Sequence, residues 1–121
     1  MDEQELVDGG LSALVGAGLT GIAIEVEFGA DPVFALGSDN VVGVLSLDEL
    51  DLSVPLIEAL RAWSHDWECG LDERYEWRSH SAEAAWSVRG RALAARAHDE
   101  IGDQVEIFYS DGHGRRSLRT S

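Results

Sequence analysis

Between Thr20 and Phe28 the apolar residues Ile22, Ile24, Val26 and Phe28 alternate with Ala23, Glu25 and Glu27. A period of two predicts a strand with one buried face and one wet, acidic face. Gly29-Ala30-Asp31-Pro32 interrupts it, and residues 33–36 predict a second strand. Gly37-Ser38-Asp39-Asn40 predicts another turn, and residues 41–47 a third strand. Three short strands with short connections predict an antiparallel meander. Beyond Ser53 the period lengthens. Leu56, Leu60, Trp63 and Trp67 recur at spacings of four, three and four, so they share one helical face. Ser53 suits the N-cap, Pro55 the first turn and Gly70 the C′ position. Ser79 or Ser81 caps a longer helix to about Ile101, with a stripe of Ala82, Ala85, Trp86, Leu93, Ala97 and Ile101. Gly90 and Ala94 lie beside that stripe and permit close approach of a neighbour. Gly102 ends this helix, and residues 105–109 predict a last strand. Ahead of the meander, Val7, Leu11, Leu14 and Val15 predict a short helix over residues 3–16, diluted by Gly9, Gly10, Gly16 and Gly18. The order α-β-β-β-α-α-β predicts an α+β fold: a small antiparallel or mixed sheet with helices packed on one face.

The chain has 121 residues and is 45% hydrophobic, enough for a single domain with its own core. Its only cysteine, Cys69, excludes an internal disulfide. No apolar run approaches the roughly 18 residues of a membrane span, and the acidic start MDEQELVD does not match a basic targeting leader. A cytoplasmic location without membrane contact is the expectation.

Charge changes the picture most. The formal net charge is −14, and all nine basic residues are arginine. Without lysine there is no Schiff-base chemistry and no GK[ST] phosphate loop. The first 60 residues hold twelve acids and no basic residue. Such a surface repels a phosphate backbone, so nucleic acid is not an expected partner. The one basic cluster, Arg115, Arg116 and Arg119, falls in a tail expected to fray. The acids either keep the protein soluble or match a basic protein partner, whose encounter they would accelerate.

Few motifs suggest chemistry. Gly16, Gly18 and Gly21 spell GxGxxG, but a dinucleotide fingerprint needs a strand before it and a helix after it. Here the order is reversed, and a helix-to-strand turn is the simpler reading. His65 and Cys69 have metal-ligand spacing on a helix without a second pair of ligands. No metal, cofactor or catalytic residue is expected. Glu25 and Glu27, on one predicted strand face, are either solvated or suited to arginine forks. Trp63, Trp67 and Trp86 suggest an aromatic core between two helices, whereas Trp77, beside Arg74, Tyr75 and Arg78, is a candidate interface anchor.

Leu60-x-x-Trp63-x-x-x-Trp67, Trp77 with Ser79, Gly90-Arg91-Ala92-Leu93-Ala94-Ala95-Arg96, Glu100-Ile101-Gly102 and Val105-Glu106-Ile107 resemble a type of short acidic actinobacterial protein. Ala97 stands where those proteins usually carry leucine. Some small acidic proteins of this kind accompany secreted toxins as immunity partners. The resemblance implies an immunity-type protein; with the acidic charge it leads to the expectation of a non-enzymatic inhibitor that occludes and electrostatically captures a basic toxin or effector. The expected contacts are Glu25, Glu27, Asp31, Asp39, Asp48, Glu49, Asp51 and Trp77. The alternative is a structural or regulatory module that self-associates through its aromatic face.

Overall fold

Strand β1, Leu19–Ile24, sits at the centre of a five-stranded sheet. The computed structural model describes residues 10–38, 42–112 and 114–118. A short helix α1, Leu11–Gly16, leads into β1. Then come β2 (Val33–Gly37), β3 (Gly43–Val44), a single 3-10 turn at Leu47–Glu49, and the helices α2 (Val54–Gly70) and α3 (His80–Ile101). After a second 3-10 turn the chain closes with β4 (Glu106–Ser110) and β5 (Arg115–Ser117). The strand order is β3-β2-β1-β4-β5. Only β1 and β4 run parallel; the other neighbours are antiparallel, so the sheet is mixed and the fold is α+β.

The register explains which face is dry. Ile22 pairs with Ala35 and Ile107, and Ile24 with Val33 and Tyr109. All of these side chains are buried in the core shared with α2 and α3. Tyr109 reaches across to α3, where its hydroxyl donates to the Ser87 carbonyl at 2.7 Å. Burial raises its pKa above the ordinary phenol value.

The opposite face is not the acidic surface that alternation predicts. β1 stops at Ile24, so Glu25 and Glu27 lie beyond it. Within β1 that face carries Gly21 and Ala23, both buried. A Cβ at Gly21 would lie 3.0 Å from the Glu106 carbonyl and 3.3 Å from the Phe108 ring. A central strand is flanked on both sides, and at Gly21 its second face is covered by the Phe108 ring and the Leu36 side chain rather than by water.

Helix α2 begins as expected. Ser53 caps it, with Pro55 in the first turn. Ser53 also donates from its N–H and hydroxyl to the Glu100 carboxylate, at 2.7 and 2.6 Å. These bonds hold Glu100 below the usual carboxylate range and fasten the start of α2 to the end of α3. The two helices therefore run antiparallel. Midway, the Trp63 and Trp86 rings stack at 4.5 Å with 6° between their planes. Each indole N–H donates to the other residue's carbonyl, at 2.9 and 2.8 Å. Gly90 makes room: a Cβ there would fall 2.6 Å from Cε2 of Trp63.

Several other expectations need correction. Gly70 is the last residue of α2 and is not in the left-handed region. It is small because the Trp77 ring lies where its Cβ would be. Ala82 and Ala85 are exposed, so the buried stripe of α3 starts at Trp86. Of the third strand expected over residues 41–47, Val41 lies outside the described residues and only Gly43–Val44 among the rest is strand, because Ser46 and Glu49 form a capping box that draws Leu47 into the 3-10 turn. The arginine tail contributes an edge strand: Arg115 and Arg116 lie in β5, and Arg119 falls outside the described residues. Of the helix expected over residues 3–16, residues 3–9 lie outside the described residues, Gly10 is in a turn and Leu11–Gly16 is helical.

Candidate partner-binding surface

The acidic residues do not form one patch. Asp31, just before β2, accepts from the Leu47 N–H at 2.8 Å and from Arg61 of α2 through Nε and Nη2, both at 2.9 Å. Asp48 joins the same guanidinium at 3.2 Å. The Arg61 contacts, led by the side-chain hydrogen bond, hold the Asp31 carboxyl below its ordinary value, and the two acids push Arg61 higher still. Glu49 is occupied with the Ser46 N–H at 3.0 Å. Glu25 is half-buried and accepts from Arg115 at 2.7 Å. Asp51 has a positive φ of 60° and accepts from the Leu11 N–H. Glu27 is exposed, and Asp39 lies outside the described residues. Asp31, Asp48 and Glu49 thus come together around one loop, while Glu25 and Asp51 serve other junctions.

Trp77 is half-buried. It bridges to Leu71, covers Gly70 and sits 5.3 Å from the Trp86 ring. The aromatic surface lies elsewhere. Phe28 follows β1, Trp67 belongs to the last turns of α2, and Tyr75 stands in the connection between α2 and α3. Phe28 is 4.4 Å from Trp67 and 5.5 Å from Tyr75, between ring centroids. Tyr75 is 72% exposed and Phe28 48%.

The loop that presents Tyr75 is tightly made. The Asp72 carboxylate accepts from the N–H groups of Arg74 and Glu76, at 2.8 and 3.1 Å. Backbone bonds join Asp72 to Glu76 and Tyr75 to Asp72. Tyr75 is held at φ 65°, which a bulky side chain rarely adopts. Beside the rings opens a polar notch of about 320 Å³, lined by Gly29 to Pro32, Arg61, Ser64, His65 and Glu68. Glu68 accepts from the Gly29 N–H at 3.3 Å, tying the Phe28 turn to α2. His65 and Cys69 lie 3.3 Å apart and are both exposed. Among the described residues no group of three or more histidine, cysteine or acidic side chains is placed to hold a metal. No described helix is long and apolar enough to cross a membrane.

Residues 20–112 match the Serratia CdiI immunity protein-like family. The chain belongs to that family. No curated protein matches it. The region matched to the immunity protein-like family runs from β1 through β4, so it contains the sheet centre, the paired helices, the Asp31–Arg61 bridge and the Phe28, Trp67 and Tyr75 rings. It stops short of β5.

Phe28 and Tyr75 escaped the sequence reading for different reasons. Phe28 extends the alternation of β1 and so resembles a core residue. Tyr75 is embedded in the polar run Asp72-Glu73-Arg74, where no periodicity marks it.

Proposed function

We propose that this protein is a non-catalytic immunity protein that binds a basic toxin domain and neutralises it by occlusion, with electrostatic attraction speeding capture. The observation that carries the reading is family membership over residues 20–112. The net charge of −14 and the twelve acids of the first 60 residues supply a field that favours a basic partner. Glu27, Asp48, Glu49 and Asp51 are exposed and offer carboxylate oxygens to that partner, although Asp48, Glu49 and Asp51 also hold Arg61, Ser46 and Leu11. Asp31 and Glu25 support the surface by holding Arg61 and Arg115 in place. A cytoplasmic site of action fits this role.

Co-expression with a toxin domain encoded beside the gene tests the reading. Protection of the host cells, together with a complex whose association slows as salt is raised, is expected. Failure to protect overturns it. The charge contribution has its own test. Glu27→Arg should slow association several-fold, while Glu58→Arg, the same charge change on an exposed position of α2, should not. Equal association rates would reduce the acidic surface to a solubility feature.

A further inference from the structure

We propose that the Phe28–Trp67–Tyr75 surface, with the adjoining Glu68 notch, is the docking site for an arginine side chain of the protein partner. The proposal rests on the toxin-binding reading for the partner's identity, and on the geometry for its chemistry. Two of the rings are far more exposed than the core aromatics, and they touch one another instead of being scattered. Tyr75 is kept in an unfavourable backbone conformation by hydrogen bonds from both sides of its loop. A backbone fixed before binding loses little freedom on binding, which favours an interface anchor.

Charge selects the occupant. Glu27, Glu68, Glu73 and Glu76, neighbours in sequence of the three ring residues, are exposed, and Asp72 in the same loop is half-buried. Of the nearby arginines, Arg61 is engaged by Asp31 and Asp48, and Arg78 donates to the Cys69 carbonyl. Arg74 and Arg78 add two exposed cations from the same loop, against the five carboxylates. The balance is acidic, and a second copy carrying −14 would be repelled. Arginine fits better than lysine because its flat guanidinium stacks on rings while forking to a carboxylate.

The test is a titration of the ¹⁵N-labelled protein with capped tetra-arginine and tetra-lysine peptides, followed by NMR. Tetra-arginine should give saturable shifts concentrated at the Trp67 indole and the Gly29 and Tyr75 amides. Tetra-lysine should bind roughly two- to fivefold more weakly. The double variant Phe28→Ser/Tyr75→Ser should lose that preference while keeping the rest of its spectrum. Shifts spread evenly over the acidic surface, equal affinities for the two peptides, or an unchanged double variant would each overturn the proposal. Toxin protection separates the two ideas. A double variant that binds the toxin domain and protects as well as wild type removes the docking site and leaves the immunity reading standing. A wild type that protects against nothing removes the immunity reading, and the peptide map still decides the chemistry of the notch.

Discussion

Trp63 and Trp67 stand one turn apart on the same face of α2, yet they do opposite things. Trp63 is fully buried, stacked on Trp86 and hydrogen-bonded at its only polar atom. Trp67 is half-buried and meets Phe28 in a ring cluster that opens to solvent. Their sequence signal is the same: an aromatic residue on an apolar stripe. What differs is the neighbour. At the level of Trp63, α3 presents Gly90, which admits the indole. At the level of Trp67 the neighbours are a turn and a polar loop. Helical periodicity gives the direction of a side chain, and the opposing element decides its depth.

The sharpest way to break this contrast is Trp63→Ala. It removes a buried indole and leaves a cavity between the helices, so it should cost about 3–5 kcal/mol in chemical denaturation. A loss below about 1 kcal/mol would mean that the two tryptophan environments are energetically alike. Gly90→Leu attacks the same contact from the other helix. It forces a side chain onto the Trp63 ring and should cost about 1–3 kcal/mol; an unchanged denaturation midpoint would place Gly90 against water.

The outer side of α2 responds to acid, whereas the stacked indoles contain no titrating group. Asp31 is depressed chiefly by its hydrogen bond to Arg61. A depressed carboxyl contributes stability above its unfolded pKa, which for Asp31 is ordinarily 3.8, and that contribution is lost as pH falls through the lower folded value. Arg61→Gln should therefore lower stability near neutrality by about 1 kcal/mol or less, since the guanidinium is 44% exposed. The gap between variant and wild type should close as pH drops below 3.8. A gap that stayed constant to pH 2 would assign the loss to packing of the arginine stem. The smallest expected change in stability is at the open rings. Phe28→Ser/Tyr75→Ser should shift stability by no more than about 0.5 kcal/mol. A loss as large as that for Gly90→Leu would show these rings to be a second core.

Much of the architecture was legible because local signals agreed. Ser53 with Pro55, Ser79 and Gly102 mark helix ends through capping and backbone conformation, both short-range effects. The edge strand β5 pairs with β4 through the short connection of residues 111–114, and what the residues near it do not announce is the Arg115–Glu25 bridge across 90 residues of sequence. The same limit hid the fate of the acids. Nothing near Asp31 announces Arg61, and nothing near Glu25 announces Arg115. The acidic half looked uniformly available because its basic partners lie in the other half. Tyr75 was missed because its role depends on Phe28 and Trp67, which join it only once the chain has folded.

The paired indoles of Trp63 and Trp86 have one more consequence. Their two hydrogen bonds connect the same two residues in opposite senses, forming a closed loop between the helices. Sliding α2 along α3 by a single residue displaces the backbones by about 1.5 Å. Bonds of 2.9 and 2.8 Å cannot both survive that displacement. The pair works as a keyway: the helices engage in one alignment or not at all, and the end of α2 that carries Trp67 is thereby indexed to the loop that carries Tyr75.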